Sequence, residues 1–207
     1  MDQLLFLGYE LSTTLIPFLI VFILFRRHTK QKGIPASSRR NMLTLVFALY
    51  MIAVFHVTGA GTLYDGLLYR LEFRPEEINL VPFSNGLDIT SYLNLLLFLP
   101  FGLLVPLIWP DLNHPLPVVG SGFACSLLIE LSQLLNRRRT DIDDLILNTI
   151  GALIGYAVFS LLSRLVKQRP GTCAASDWSL LVYILTIFLG RFFLFHDMGL
   201  AKLLYGF

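Results

Sequence analysis

Between Tyr92 and Trp109 the chain reads YLNLLLFLPFGLLVPLIW, a run without a single charged side chain. At a rise of about 1.5 Å per residue, a helix of this length comes close to the roughly 30 Å of a bilayer's hydrocarbon core. The run is apolar on every side rather than along one stripe, so it has no face to offer to water. Five other stretches share this character: Leu4 to Phe25, Met42 to Val57, Leu116 to Leu135, Leu145 to Val166 and Trp178 to Phe195. The predicted fold is therefore all-α, a polytopic transmembrane bundle of about six helices, with the second span the shortest.

Composition supports the same reading. Of 207 residues, 55% are hydrophobic and 14% charged, with a mean hydropathy of +0.68. One globular core cannot bury that much apolar surface, so the surplus must face lipid. The net charge of +2 is spread over connecting segments, and no nucleic-acid partner is expected. Cys125 lies in an apolar run and Cys173 in a basic connection, contexts that do not suggest a disulfide. Met1-Asp2-Gln3 lacks the positive start of a secretory signal, so the first helix is expected to stay in the protein. No internal repeat is evident, and residues 1–207 read as one domain.

Orientation follows from basic residues in short connections. Arg26, Arg27, Lys30, Lys32, Arg39 and Arg40 crowd the connection 26–41 without an acid among them, which predicts a cytoplasmic loop and an N-terminus outside. Arg164, Lys167 and Arg169 then also fall inside. The connection 58–91, with Asp65, Glu72, Glu76, Glu77 and Asp88 against Arg70 and Arg74, falls outside. Within it Leu63, Leu67, Leu68 and Leu71 recur at helical spacing beside Tyr64, Asp65 and Arg70, which predicts a short amphipathic helix in the interface. The same connection is expected to fold back over the mouth of the bundle, because Asn79 and Pro82-Phe83 would otherwise expose an aromatic ring there. Arg137, Arg138 and Arg139 come out on the extracytoplasmic side, against the positive-inside trend. Either Asp141, Asp143 and Asp144 neutralise them, or they form an anion-binding cluster.

In this orientation Glu10, His56, Asn94, Glu130, Gln133, Asn148, Arg191 and His196 all fall in the outer half or at the outer end of their helices. Polar groups inside a membrane must be paired or line a wet cavity, so this segregation predicts a polar pocket open to the extracytoplasmic side. On the fourth span Glu130, Gln133 and Arg137 share a stripe at i, i+3 and i+7. On the fifth, Asp141, Asp144, Asn148, Gly151 and Gly155 follow i, i+3, i+7, i+10 and i+14. The two helices must be antiparallel, and Arg139 is expected between Glu130 and Asp144, with its loss costing more than that of Asp141. Gly151 and Gly155 form the G-x-x-x-G pattern that admits another helix closely.

Plainer readings stand beside these. Asp143 reads as a cap at the start of the fifth span, Asn94 as an interhelical hydrogen-bonding residue, and His56 and His196 as solvated interfacial histidines. Glu130, Asp141 and Asp144 are ligands of the type hard cations take, but the adjacent arginines are ready counter-ions. No metal or other cofactor is expected. There is no nucleophile elbow, phosphate loop or H-E-x-x-H, so a standard hydrolase or nucleotide-driven pump has no support. For a transporter, Pro17, Pro100 and Pro106 offer helix breaks, but paired halves are missing.

The segments Asn79-Leu80-Val81-Pro82-Phe83 and Asn94-Leu95-Leu96-Leu97-Phe98-Leu99-Pro100-Phe101-Gly102 are followed by Glu130 with Gln133. Then comes Arg139-Thr140-Asp141-Ile142-Asp143-Asp144, leading to Asn148, Gly151 and Gly155. In this order they resemble the VanZ-like family, best over residues 79–156 within a shared core of about 42–166. The helix 178–195 is an addition to that core. The resemblance implies a multi-pass protein of the bacterial plasma (inner) membrane, in a family named for a member linked to low-level resistance to the glycopeptide teicoplanin. It implies no established reaction.

The residues expected to bind ligand are Asn79, Asn94, Glu130, Gln133, Arg137, Arg138, Arg139, Asp141, Asp144 and Asn148. The expected partner is a membrane lipid with an anionic headgroup, or a lipid-linked cell-wall precursor. The alternative is a membrane enzyme modifying such a lipid, with Glu130 or Asp144 as general acid or base and Arg139 stabilising charge.

Overall fold

Every apolar run forms a helix. The computed structural model of the chain describes residues 2–33, 37–70, 75–84, 86, 89–136, 138–165 and 178–205. In chain order the elements are α1 (Asp2–Gln31), α2 (Ser38–Thr58), α3 (Leu63–Leu68), β1 (Ile78–Asn79), α4 (Ile89–Ile108), α5 (Pro115–Gln133), β2 (Thr140–Asp141), α6 (Ile142–Leu165), α7 (Trp178–Leu194) and α8 (Asp197–Tyr205). Five of these helices are long and apolar enough to cross a membrane. A sixth crossing is available if α7 and α8, bent by 40° at their junction, are one broken span. The protein is a multi-pass helical membrane protein. Leu71 and Cys173 lie outside the described residues.

The shortest expected span is longer than its apolar run suggests. α2 begins at Ser38 because Ser37 accepts a hydrogen bond from the Arg40 N–H, so polar Arg39 and Arg40 join its first turn. It ends at Gly59, which adopts the left-handed conformation (φ 61°) that only glycine takes without cost. The amphipathic segment forms α3, opened by a reciprocal capping box between Thr62 and Asp65. α8 was not expected from the sequence: Asp197 in its first turn and Lys202 in its last interrupt the apolar run.

Packing is densest where side chains are smallest. α4 lies directly against α6: a Cβ added at Gly151 would strike the Leu95 carbonyl oxygen, one at Gly155 the Leu99 carbonyl, and one at Gly102 the Ala152 carbonyl. The glycine stripe therefore faces another helix of the same chain, as its spacing predicts. α1 packs on α7 through Phe18, Phe22 and Phe25 around Tyr183. Phe47 of α2 meets Phe101 and Trp109, and the Trp109 indole donates to Ser179 Oγ at 2.7 Å, tying α4 to α7. Ile16, Ile20, Leu24, Leu96, Leu153 and Leu161 are exposed on the outer faces, as helices solvated by lipid require.

The chain between α3 and α4 turns back onto the bundle. β1 pairs in parallel with β2, Ile78 opposite Thr140 and Asn79 opposite Asp141. This fold-back brings a distant segment against the short α5–α6 connection.

Candidate functional site

Glu130 is in the last turn of α5 and 4% exposed. Its Oε2 accepts the Asp141 main-chain N–H at 3.0 Å, and its own carbonyl accepts the Thr140 hydroxyl at 3.3 Å. The α5–α6 connection is thereby clamped to the helix it leaves. Asp141 is the hub of the connection. Its Oδ1 accepts from Asn79 Nδ2 at 2.9 Å and from the Asp143 N–H at 3.1 Å, and its Oδ2 lies 3.7 Å from Arg139 Nε. Asn79 in turn accepts, at Oδ1, the Val81 N–H at 3.2 Å and the Ser84 hydroxyl at 3.1 Å.

α6 contributes three further polar side chains. Asp143 Oδ1 accepts the Phe83 N–H at 2.7 Å. Asp144 accepts from the Asn94 amide of α4. One turn deeper, Asn148 Nδ2 donates to Ser126 Oγ at 2.9 Å across the α5–α6 interface. Asn79, Asn94, Glu130, Asp141, Asp144 and Asn148 thus gather where α4, α5 and α6 meet the returning loop.

The other expected site residues go elsewhere. Gln133 turns toward α2, where its Nε2 donates to the Thr58 carbonyl at 2.8 Å. Arg138 Nη1 donates to the same carbonyl at 2.7 Å, and Asn136 Nδ2 to the Gly59 carbonyl at 2.8 Å. These side chains satisfy the open carbonyls of a helix C-terminus, where positive charge is also favoured by the helix dipole. Arg139 does not lie between Glu130 and Asp144. Its side chain is 55% exposed and its ionic partner is Asp141. The reason is local: Glu130 is already bound by the Asp141 N–H, which leaves Arg139 on the outer side of the connection. Arg137 lies outside the described residues. Among the described residues, no group of three or more His, Cys, Asp and Glu side chains is arranged to hold a metal ion.

A second polar cluster lies at the same end of the bundle. Glu10 of α1 and Arg191 of α7 form a buried ion pair. The second Glu10 oxygen meets His56 Nδ1 of α2 at 2.7 Å, and Arg191 Nε donates to the Ala60 carbonyl at 3.0 Å. The Arg191 guanidinium also sits 5.1 Å from the centre of the Phe195 ring. His196 stacks on Tyr64, ring centres 3.9 Å apart. The sequence marks Glu10, His56 and Arg191 as polar residues in apolar runs, but residues so far apart in the chain carry no sign that they pair. Asp143, read from sequence as a helix cap, is instead the anchor of the returning loop, and Ser126 and Asn136 carry no signal beyond being polar.

The turn Thr58–Gly61 lies between the two clusters. Besides the bonds from Gln133, Arg138, Asn136 and Arg191, its Gly61 N–H donates to Ser132 Oγ at 2.9 Å. Polar residues from α1, α2, α4, α5, α6 and α7 therefore converge at one end of the bundle. The basic residues from Arg26 to Lys32 and at Arg39 and Arg40 occupy the opposite ends of α1 and α2.

The chain is similar to a curated protein, "Protein VanZ" of Enterococcus faecium, with 26% identity over 126 residues that cover 60% of this chain and 77% of that protein. No solved structure matches the chain. The VanZ/LLP1 family matches residues 14–163, a range that runs from within α1 to the last turns of α6 and includes every described residue of the α4–α5–α6 site, and the chain belongs to that family.

Proposed function

We propose that the protein binds the phosphate-bearing headgroup of an envelope lipid or lipid-linked cell-wall precursor at the mouth formed by α4, α5, α6 and the returning loop. The observation that carries this reading is the juxtaposition of polar and apolar groups at that mouth. A network of Asn79, Asn94, Glu130, Asp141 and Asp144 is bordered by half-exposed Arg139 and by the exposed side chains of Leu80, Val81 and Phe83. A headgroup needs polar partners and its acyl chains need apolar ones, and here both are adjacent at the end of a membrane bundle. The basic connection 26–41 supports a cytoplasmic assignment for the far end, which makes this mouth extracytoplasmic.

The test is lipid retention by the purified protein. Co-purifying phospholipid, and a melting temperature raised by added phospholipid, are expected. A protein that retains none and does not respond to any would end this reading. The enzyme alternative, with Glu130 or Asp144 as acid or base and Arg139 on the substrate's charge, is favoured by the depth of Glu130. It requires that labelled envelope lipids be chemically altered by the protein. A contribution to teicoplanin resistance, suggested by the family's name, predicts a raised inhibitory concentration when the chain is expressed in a susceptible bacterium.

A further inference from the structure

Glu10 does not stand at the outer end of its helix. Arg26 and Arg27 mark where α1 leaves the hydrocarbon on the far side, and from Arg26 back to Glu10 the helix rises only about 24 Å, at about 1.5 Å per residue. On α2, Arg40 and His56 are separated by the same rise of about 24 Å. A hydrocarbon core is roughly 30 Å thick, and any tilt shortens both spans further. The layer formed by Glu10, His56 and Arg191 therefore stops about one helical turn short of the outer boundary.

The surface beyond that layer is apolar. Leu4 is 74% exposed and Leu7 is exposed beside it, just as Ile16 and Ile20 are exposed on the inner side of Glu10. From Arg26 to Leu4 the rise is about 33 Å, which covers the whole hydrocarbon thickness. Beyond His56, α3 exposes Leu67 and Leu68, and beyond Arg191, α8 exposes Met198 and, at 82%, Leu203. One junction joins the three segments. The Tyr9 hydroxyl donates to the Leu194 carbonyl at 2.7 Å and accepts the His196 N–H at 3.3 Å, while Tyr64 of α3 stacks on His196. The charges beneath are already answered from within the protein, Glu10 by Arg191 and His56, and Arg191 also by the Ala60 carbonyl.

From this depth we propose that the first two turns of α1, α3 and α8 form an apolar collar immersed in the leaflet at this end of the bundle, the outer one in the orientation above. Acyl chains cover its leucines, and the Glu10–His56–Arg191 layer lies below the plane of the headgroups. Lys202 reaches that plane from α8 on its long stem. His56, whose side chain is 54% exposed, is where the collar stands open, so the charged layer is approached sideways through the leaflet. This inference is independent of the headgroup site at α4, α5 and α6.

The experiment places one nitroxide label on the full-length protein, at Leu4→Cys, Leu67→Cys or Leu203→Cys, in a background without Cys125 and Cys173. The protein is reconstituted in vesicles of palmitoyl-oleoyl phosphatidylcholine and phosphatidylglycerol. Collision of the label with oxygen, which concentrates in hydrocarbon, is compared with collision with a water-soluble nickel complex. Ile20→Cys serves as the lipid-facing reference and Lys32→Cys as the aqueous one. All five positions are exposed, so the substitutions themselves leave the packing intact. The oxygen-to-nickel ratio at Leu4, Leu67 and Leu203 should match that at Ile20 and exceed that at Lys32. A ratio like that of Lys32 at any of the three places that segment in water and overturns the collar. Shielding from both reagents also overturns it, because a second protein surface, such as another copy of this chain, would then cover the leucines instead of lipid.

Discussion

The Phe83 N–H donates to Asp143 Oδ1 at 2.7 Å, joining the returning loop to the first turn of α6 across sixty residues of chain. Phe83 has a left-handed backbone (φ 56°), a conformation costly for a bulky side chain unless its surroundings impose it. Asp143 holds that conformation, and with it the apolar tip of the loop.

Asp143→Ala should therefore release the loop without dissolving the bundle. The expected cost is about 1–3 kcal/mol for a lost charge-assisted bond. Hydrogen exchange should rise at residues 78–84 while α4 and α6 stay protected. Unchanged exchange at Phe83 would show that the strand pairing holds the loop alone.

Removal of Asp141 should cost more than removal of Arg139. Asp141 accepts bonds from Asn79 and from the Asp143 N–H, and its loss unties the loop from the connection for about 1–3 kcal/mol. Arg139 contributes one long, half-exposed contact, a type worth about 0–1 kcal/mol. Melting temperatures of Asp141→Ala and Arg139→Ala settle the order, which is the reverse of the one the sequence suggests.

Glu10 and Arg191 should behave as one unit. Glu10→Leu or Arg191→Leu alone leaves a buried charge without its partner, a loss of about 3–5 kcal/mol. The double variant Glu10→Leu with Arg191→Leu should recover part of it. Strict additivity of the single effects would mean that the pair is not coupled.

A leucine at Gly155 must displace the Leu99 carbonyl region of α4, and overpacking of this kind costs about 1–3 kcal/mol or more. Yield and melting temperature of Gly155→Leu should both fall. The same change at Gly120, where an added Cβ meets nothing within 4 Å, should be tolerated.

The proposed orientation predicts that a cysteine at exposed Ser84, in a background without Cys125 and Cys173, reacts with an impermeant thiol reagent applied to intact cells. Labelling only after permeabilisation would invert the topology.

The sequence alone determined the solvent and the element type. A run such as Tyr92–Trp109 cannot satisfy its backbone in lipid except as a helix, so apolar length decided α1, α2, α4, α5 and α6 almost by itself. The spacing of Gly151 and Gly155 announced a close helix contact, because glycine leaves a groove whatever fills it. Which helix fills it, and which polar residues meet, was decided only by the tertiary structure. Arg138 and Arg139 are adjacent and chemically identical, yet one caps α2 through Thr58 and the other reaches Asp141 at the mouth. Glu10 finds Arg191 from the other end of the chain. A side chain's identity states what partner it needs, whereas the partner is supplied by whichever distant segment packing brings within about 3 Å, and hydrophobic periodicity carries no record of that choice.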